Sequence, residues 1–278
     1  MNSIAQPARH KDPELRFAFG RNWKSFLSTL DEHRIEEARR RLCESLGRSD
    51  LRGVRALDVG SGSGLSSLVM HLLGADVLAF DYDTDSVACT EELRRRYAPD
   101  ATDWRIVQGS ALDPAFMAGL GQFDLVYSWG VLHHTGAMWP AIELAAARVA
   151  SNGTLLLALY NDQGRRSRVW HAIKRLYCSG ASGRCLVAAA FYPLFAAYAL
   201  WQDLRRLHMP GTHAREYAQK RGMSIFHDWR DWLGGFPFEV AKPADVECAL
   251  AANGFTLRRE TLTHGLGCNE FVFTLKRK

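Results

Sequence analysis

Two carboxylates stand at the ends of short apolar runs near the middle of the chain, each followed by residues suited to holding a ligand against the backbone. Asp58 leads into Val59-Gly60-Ser61-Gly62-Ser63-Gly64. Glycines at this density let the backbone turn sharply and bring its N–H groups to a ligand at a helix N-terminus. Asp81 lies 21 positions beyond Gly60, in Phe80-Asp81-Tyr82-Asp83. A carboxylate at that place can accept both hydroxyls of a ribose. The spacing is G-x-G-x-G, and Leu65 stands where the third glycine of a dinucleotide loop belongs. An acidic loop of this kind suits a cationic ligand better than a pyrophosphate.

Groups able to move a proton follow. Trp129-Gly130-Val131-Leu132-His133-His134-Thr135 follows a further apolar run, 123–128. An imidazole, with a reference pKa of about 6.5, can take a hydroxyl proton near neutral pH. His133 and, after it, His134 are therefore candidate bases, and a structural role for both is the alternative. Tyr160 and Asn161 end a later run, where they either orient an acceptor or belong to a turn sealed by Asn161 and Asp162. No metal is expected: the ten histidines contain no H-E-x-x-H, His208 and His213 do not share a helical face, and the six cysteines form no C-x-x-C. A polar, charged start, MNSIAQPARHKDPELR, and this cysteine pattern imply a reduced, cytoplasmic setting.

These residues need a scaffold that brings strand ends together. Residues 54–59, 75–80, 104–108, 123–128 and 153–160 read as strands, and 65–73, 84–97, 114–120 and 138–149 as the helices between them. That alternation predicts a parallel sheet with the candidate residues at its carboxyl edge. Further on, a helix opens at Pro243 and stops at Asn253-Gly254, then two strands, 255–262 and 269–275, flank a turn at His264–Gly267. The expected fold is α/β: a Rossmann-like seven-stranded sheet, mostly parallel with an antiparallel last strand, flanked by helices.

LDVGSGSG, FDYD, VQGSALD and FDLVYSWGVLHHT, in this order and spacing, resemble the class I S-adenosylmethionine-dependent methyltransferases over nearly all of residues 54–160. The resemblance implies S-adenosylmethionine as cofactor. It assigns Asp58 and the Gly60-Ser61-Gly62 loop to the methionine and ribose side, and Asp81 to the ribose hydroxyls. Tyr82 would flank the adenine, Gly109, Ser110 and Ala111 its edge, and Ser128 and Trp129 the methyl-donor end. An aspartate that such enzymes often use for the adenine amino group is displaced here to Asp113. Paired histidines in the resembling family often cap the site or bond backbone groups. The net charge of residues 54–160 is −6, against +5 for the whole chain, which fits a sulfonium cation.

Two additions flank this core, giving four expected segments: a helical leader (1–53), the cofactor-binding core (54–160), a helical insertion after the fifth strand (161–242), and a C-terminal completion of the sheet (243–278). In the leader, Phe17, Phe19, Trp23 and Phe26 precede a helix at about 30–46 and either lid the cofactor or pack on the sheet. Trp23 is counted among the candidate cofactor contacts. The insertion opens with a basic amphipathic stretch, 165–177, and continues with 17 uncharged residues from Cys185 to Trp201. A transmembrane span is not expected, because strands five and six belong to one sheet, and Pro193 should split the run into two short halves. A buried lid helix, a homodimer surface through 185–201, an acceptor groove and peripheral membrane contact remain as uses. Residues 226–238 read as an aromatic loop over the pocket, in which His227 and Asp228 could meet an acceptor.

The function expected is methyl transfer to a small-molecule acceptor, on an oxygen of a sugar, quinone-like ring or secondary metabolite. One alternative uses the same cofactor without moving its methyl group. Another methylates nucleic acid, but Asn/Asp-Pro-Pro-aromatic is missing after the fourth strand, where Ser128-Trp129-Gly130-Val131 stands, and no nucleic-acid partner is expected.

Overall fold

The computed structural model describes residues 17, 19–221, 225–265 and 267–276. Seven strands, β1 (Arg55–Val59), β2 (Asp76–Asp81), β3 (Trp104–Gln108), β4 (Phe123–Trp129), β5 (Val149–Tyr160), β6 (Phe255–Thr261) and β7 (Cys268–Leu275), form one sheet. Their order is β3-β2-β1-β4-β5-β7-β6. The first five are parallel, and β7 runs antiparallel to both β5 and β6. The direction of winding reverses between β1 and β4, which opens a crevice beyond their carboxyl ends, where ligands of such sheets bind.

The central strands are apolar on both faces because helices cover both. Leu155, Leu157 and Leu159 of β5 face one core with α5 (Pro114–Gly119), α6 (Met138–Ala146) and α11 (Pro243–Ala252). Leu156 faces the other, built with α1 (Gly20–Leu27), α2 (Glu32–Leu46), α3 (Leu65–Leu72) and α4 (Thr84–Tyr97). Strands buried on both sides read as the continuous apolar runs seen here.

The insertion carries α7 (Arg165–Cys178), α8 (Ala181–Arg205), α9 (Thr212–Arg221) and α10 (Ile225–Gly234). Tyr177, Val187 and Leu233 centre a third, smaller core there. Two expectations are corrected. Pro193 does not divide the apolar run, since α8 is one helix of 25 residues. A proline inside a helix costs about 3 kcal/mol, but Pro193 is exposed and so is residue 189; the carbonyl that loses its partner can turn to water. Nor are residues 226–238 a loop: α10 takes them as far as Gly234. Ile225, Trp229 and Leu233 recur at helical spacing and are all buried, and this periodicity outweighs the aromatic and glycine content.

Leu157 is fully buried at the centre of the sheet. Leu157→Ala should destabilise the protein by about 2–5 kcal/mol, as deletion of buried methyl groups leaves a cavity; denaturant titration followed by circular dichroism measures it.

Candidate active site

The loop after β1 is shaped by its glycines. Gly62 has φ +56°, and a Cβ there would stand 3.2 Å from the Trp23 indole, so the bare backbone lets the leader close over the loop. Its N–H donates to Asp81 Oδ2 at 2.9 Å. The Asp83 N–H donates to Asp81 Oδ1 at 2.9 Å. Asp81 is therefore oriented from both sides by backbone, with lone pairs left on each oxygen.

Asp58 is 1% exposed and accepts from Ser67 Oγ at 2.5 Å. Among the described residues neither Asp58 nor Asp81 is paired with a lysine or arginine. Loss of water pushes the Asp58 carboxyl up to about 7, an effect that the Ser67 hydrogen bond opposes and the nearby Asp81 charge adds to. Desolvation likewise raises Asp81, against the bonds from Asp83 and Gly62. Two desolvated carboxylates in one crevice make a place that gains from a cation.

The leader closes this side. Asp83 caps α4 through the Asp85 N–H and also accepts from the Gly20 N–H at 3.0 Å. Lys24 Nζ lies 2.8 Å from Asp85. Both uses expected of the leader aromatics occur: Trp23 and Phe26 line the cavity and also pack with the sheet core, Phe26 the more deeply buried in it. Phe17 and Phe19 line the cavity farther along.

One cavity of about 940 Å³ joins all of this. Its wall includes Asp58, Gly60, Ser61, Gly62, Asp81, Tyr82, Gly109, Ser110, Ala111, Trp129 and Trp23 from the expected cofactor set. Ser128 is a correction: it is 1% exposed, is not on the wall, and its Oγ donates to the Val59 carbonyl at 3.1 Å. Strand alternation turns Ser128 inward and leaves the following residue, Trp129, at the crevice. Asp113 is spent as the N-cap of α5, accepting from the Ala115 and Phe116 N–H groups.

On the acceptor side the two histidines part. His133 is fully buried and off the cavity wall, which removes it as a base for a bound acceptor. Its Nδ1 accepts from the Tyr160 N–H at 3.4 Å, its Nε2 is buried without a partner, and burial holds its pKa well below the ordinary value. His134 lines the cavity. Its Nδ1 lies 2.6 Å from the Pro237 carbonyl, which can only accept, so Nδ1 carries the hydrogen. The cause is the 3-10 turn Leu132–His134: at three residues per turn, neighbouring side chains point about 120° apart. Tyr160 lines the cavity, with its ring 5.3 Å from His134 and 5.2 Å from Phe238. Asn161 is also on the wall, but its amide is held at both ends, donating to the Thr263 carbonyl at 3.0 Å and accepting from Asn269 Nδ2 at 3.2 Å.

The insertion supplies the rest of the acceptor chamber: Trp170, Lys174, Trp232, Phe236 and Phe238. Lys174 is 4% exposed, donates to the Trp232 carbonyl at 2.6 Å and sits 5.2 Å from the Phe238 ring centre. Trp170 and Lys174 belong to the basic amphipathic stretch 165–177, where no sequence signal singled out either as wall. Gln108 and Tyr127, also on the wall, were likewise unmarked. The side chains of His227 and Asp228 lie outside the described residues. Among the described residues no group of three or more His, Cys, Asp or Glu is placed to hold a metal ion.

Residues 57–155 match the family model of a methyltransferase domain. This match supports a class I S-adenosylmethionine-dependent methyltransferase. This methyltransferase is 30% identical over 143 residues to a ubiquinone biosynthesis O-methyltransferase of Sinorhizobium fredii, a match spanning 49% of this chain and 54% of that one. To the protein of the same description from a Caulobacter species it is 26% identical over 206 residues, 72% of this chain and 65% of the other. The chain thus spans about half to two thirds of the length of these curated relatives. Its fold is similar to the crystal structure of magnesium protoporphyrin IX methyltransferase from Synechocystis with bound SAH, at TM-score 0.52 and 16% identity, covering 87% of this chain and 84% of that one.

The residues present fit the cofactor of the methyltransferase family: a glycine cradle, a carboxylate held by backbone on both sides and, among the described residues, buried acids without cationic partners. The carboxyl raised to about 7 is neutral below that pH and ionised above it. A cationic cofactor favours the ionised form, so its affinity should rise between pH 6 and pH 8 by up to about tenfold per unit. Calorimetric titration of S-adenosylmethionine across this range tests the sign, and Asp58→Asn should flatten the slope.

Proposed function

We propose that the protein methylates an oxygen nucleophile on a small, largely apolar, ring-bearing acceptor. The observation that carries this reading is the continuity of one cavity from the Asp58–Asp81 crevice to an aromatic chamber walled by Tyr160, Trp170, Trp232, Phe236 and Phe238. S-Adenosylmethionine, when bound, supplies an electrophilic methyl group on a sulfonium sulfur. Asp81 would hold its ribose, the Gly60–Gly62 loop its amino-acid end, and Tyr82 and Ser110 its base.

The chain's remaining task is alignment and proton removal. Aromatic walls fix a flat acceptor through apolar and edge-to-face contacts and keep water out. Such positioning can lower a barrier by roughly 7–11 kcal/mol. His134 Nε2 would receive the acceptor hydroxyl proton while its Nδ1–H stays on the Pro237 carbonyl, which holds the ring in the required tautomer. His133 would position this turn without meeting the acceptor, through its bond from the Tyr160 N–H and its carbonyl bond from the Glu239 N–H at 3.0 Å. The ubiquinone biosynthesis relatives support an oxygen acceptor of quinone-like type.

Incubation with S-adenosylmethionine and a panel of hydroxylated aromatic compounds, read by mass spectrometry, should yield the O-methylated acceptor and S-adenosylhomocysteine. Methylthioadenosine in their place would overturn the reading. With an active acceptor in hand, His134→Ala should lower kcat by about 10²–10⁴-fold with little change in cofactor affinity.

A further inference from the structure

One side of α8 is uncovered. The helix packs on α7 and α10 through Val187, Phe191, Tyr192 and Phe195. Its exposed side carries Leu186, Leu194, Trp201 and Leu204, with exposures from 49% to 72%, and Tyr198 beside them is 57% exposed. At about 100° per residue, positions 186, 190, 194, 197, 201 and 204 fall in one stripe, with Ala190 and Ala197 between the large side chains. By length and composition α8 is apolar enough to cross a bilayer, yet only 6% of its most apolar window is buried in the protein.

The charges around this face have one sign. From residue 163 to residue 202 there are six basic residues and no acidic one. Five of them, Arg165, Arg166, Arg168, Arg175 and Arg184, are exposed. Beyond the stripe come Arg205 and Arg206, both exposed. Two acids that follow the stripe are engaged among the described residues: Asp203 is 3% exposed and accepts from the Gly211 and His213 N–H groups, and Glu216 pairs with Arg206.

We propose that this face docks peripherally on an anionic lipid bilayer. α8 lies along the interface, its leucines, Tyr198 and Trp201 in the boundary between headgroups and acyl chains, and the arginines of α7 and of both helix ends on lipid phosphates. Because α8 is held to α7 and α10, the helix rests on the membrane and does not cross it. A second copy of the chain is a poorer occupant: a two-fold contact would bring identical sets of arginines together, and among the described residues the acids on that side are already engaged. Residues 1–16 are unsuited as well, since Met1, Ile4 and Leu15 are their only large apolar side chains. α7 also supplies Trp170 to the cavity wall, so the docked face adjoins the acceptor chamber. The inference stands independently of the methyl-transfer chemistry.

Flotation of the full chain with phosphatidylcholine vesicles, with or without added phosphatidylglycerol, tests it. The protein should float with the anionic vesicles, stay behind with the neutral ones, and be released by high salt. Leu194→Glu with Trp201→Glu should abolish flotation while S-adenosylmethionine binding is retained. Arg166→Ala with Arg175→Ala, which leaves the apolar stripe intact, should weaken vesicle binding by roughly thirtyfold. Absence of flotation, or flotation unchanged in both double variants, would overturn the proposal. So would a dimer in sedimentation equilibrium that Leu194→Glu with Trp201→Glu dissolves while vesicles bind neither form, because the face would then belong to a second copy.

Discussion

The arrangement turns on two carboxylates kept from water and from cations at the point where the sheet reverses its winding. Asp58 and Asp81 sit at the ends of adjacent parallel strands, and the register that aligns Val59 with Phe80 brings their loops together. Backbone N–H groups, not lysines or arginines, hold Asp81. Burying a charge without a partner is costly, and the protein meets the cost by raising both carboxyl pKa values. A cation entering the crevice recovers that energy, so the electrostatic preference exists before any ligand arrives.

The additions extend this crevice in two directions. The leader docks through Gly20 and Lys24 onto the acids that open α4, and Trp23 thereby comes to stand over the glycine loop. The insertion turns α7 and α10 toward the ends of β4 and β5, and its aromatic residues make the far half of the cavity. Charge is divided in the same way, with the acids central and the basic residues outside. The net +5 of the chain thus describes its surfaces and not its site.

Much of the site was legible because strand ends are local features. A β-rich run followed by glycine or aspartate marks the carboxyl edge of a parallel sheet, and most residues so marked reach the cavity. In two places both residues of a neighbouring pair were expected at the site, and only one of each pair lines the cavity. Ser128 and Trp129, like His133 and His134, are neighbours in sequence, and backbone rotation alone sends one into the core and the other to the ligand. Pro193 misled for a related reason: a proline's effect on a helix depends on whether the carbonyl that loses its partner can reach water.

The order of strands and helices along the chain and the acidic glycine loop follow from composition and periodicity, which act over a few residues at a time. Which histidine faces the cavity, which face of α8 is left bare, and the presence of Lys174 and Trp170 in the acceptor wall were decided only by tertiary packing. An amphipathic helix shows in its sequence that it has faces. What each face meets depends on elements far away along the chain.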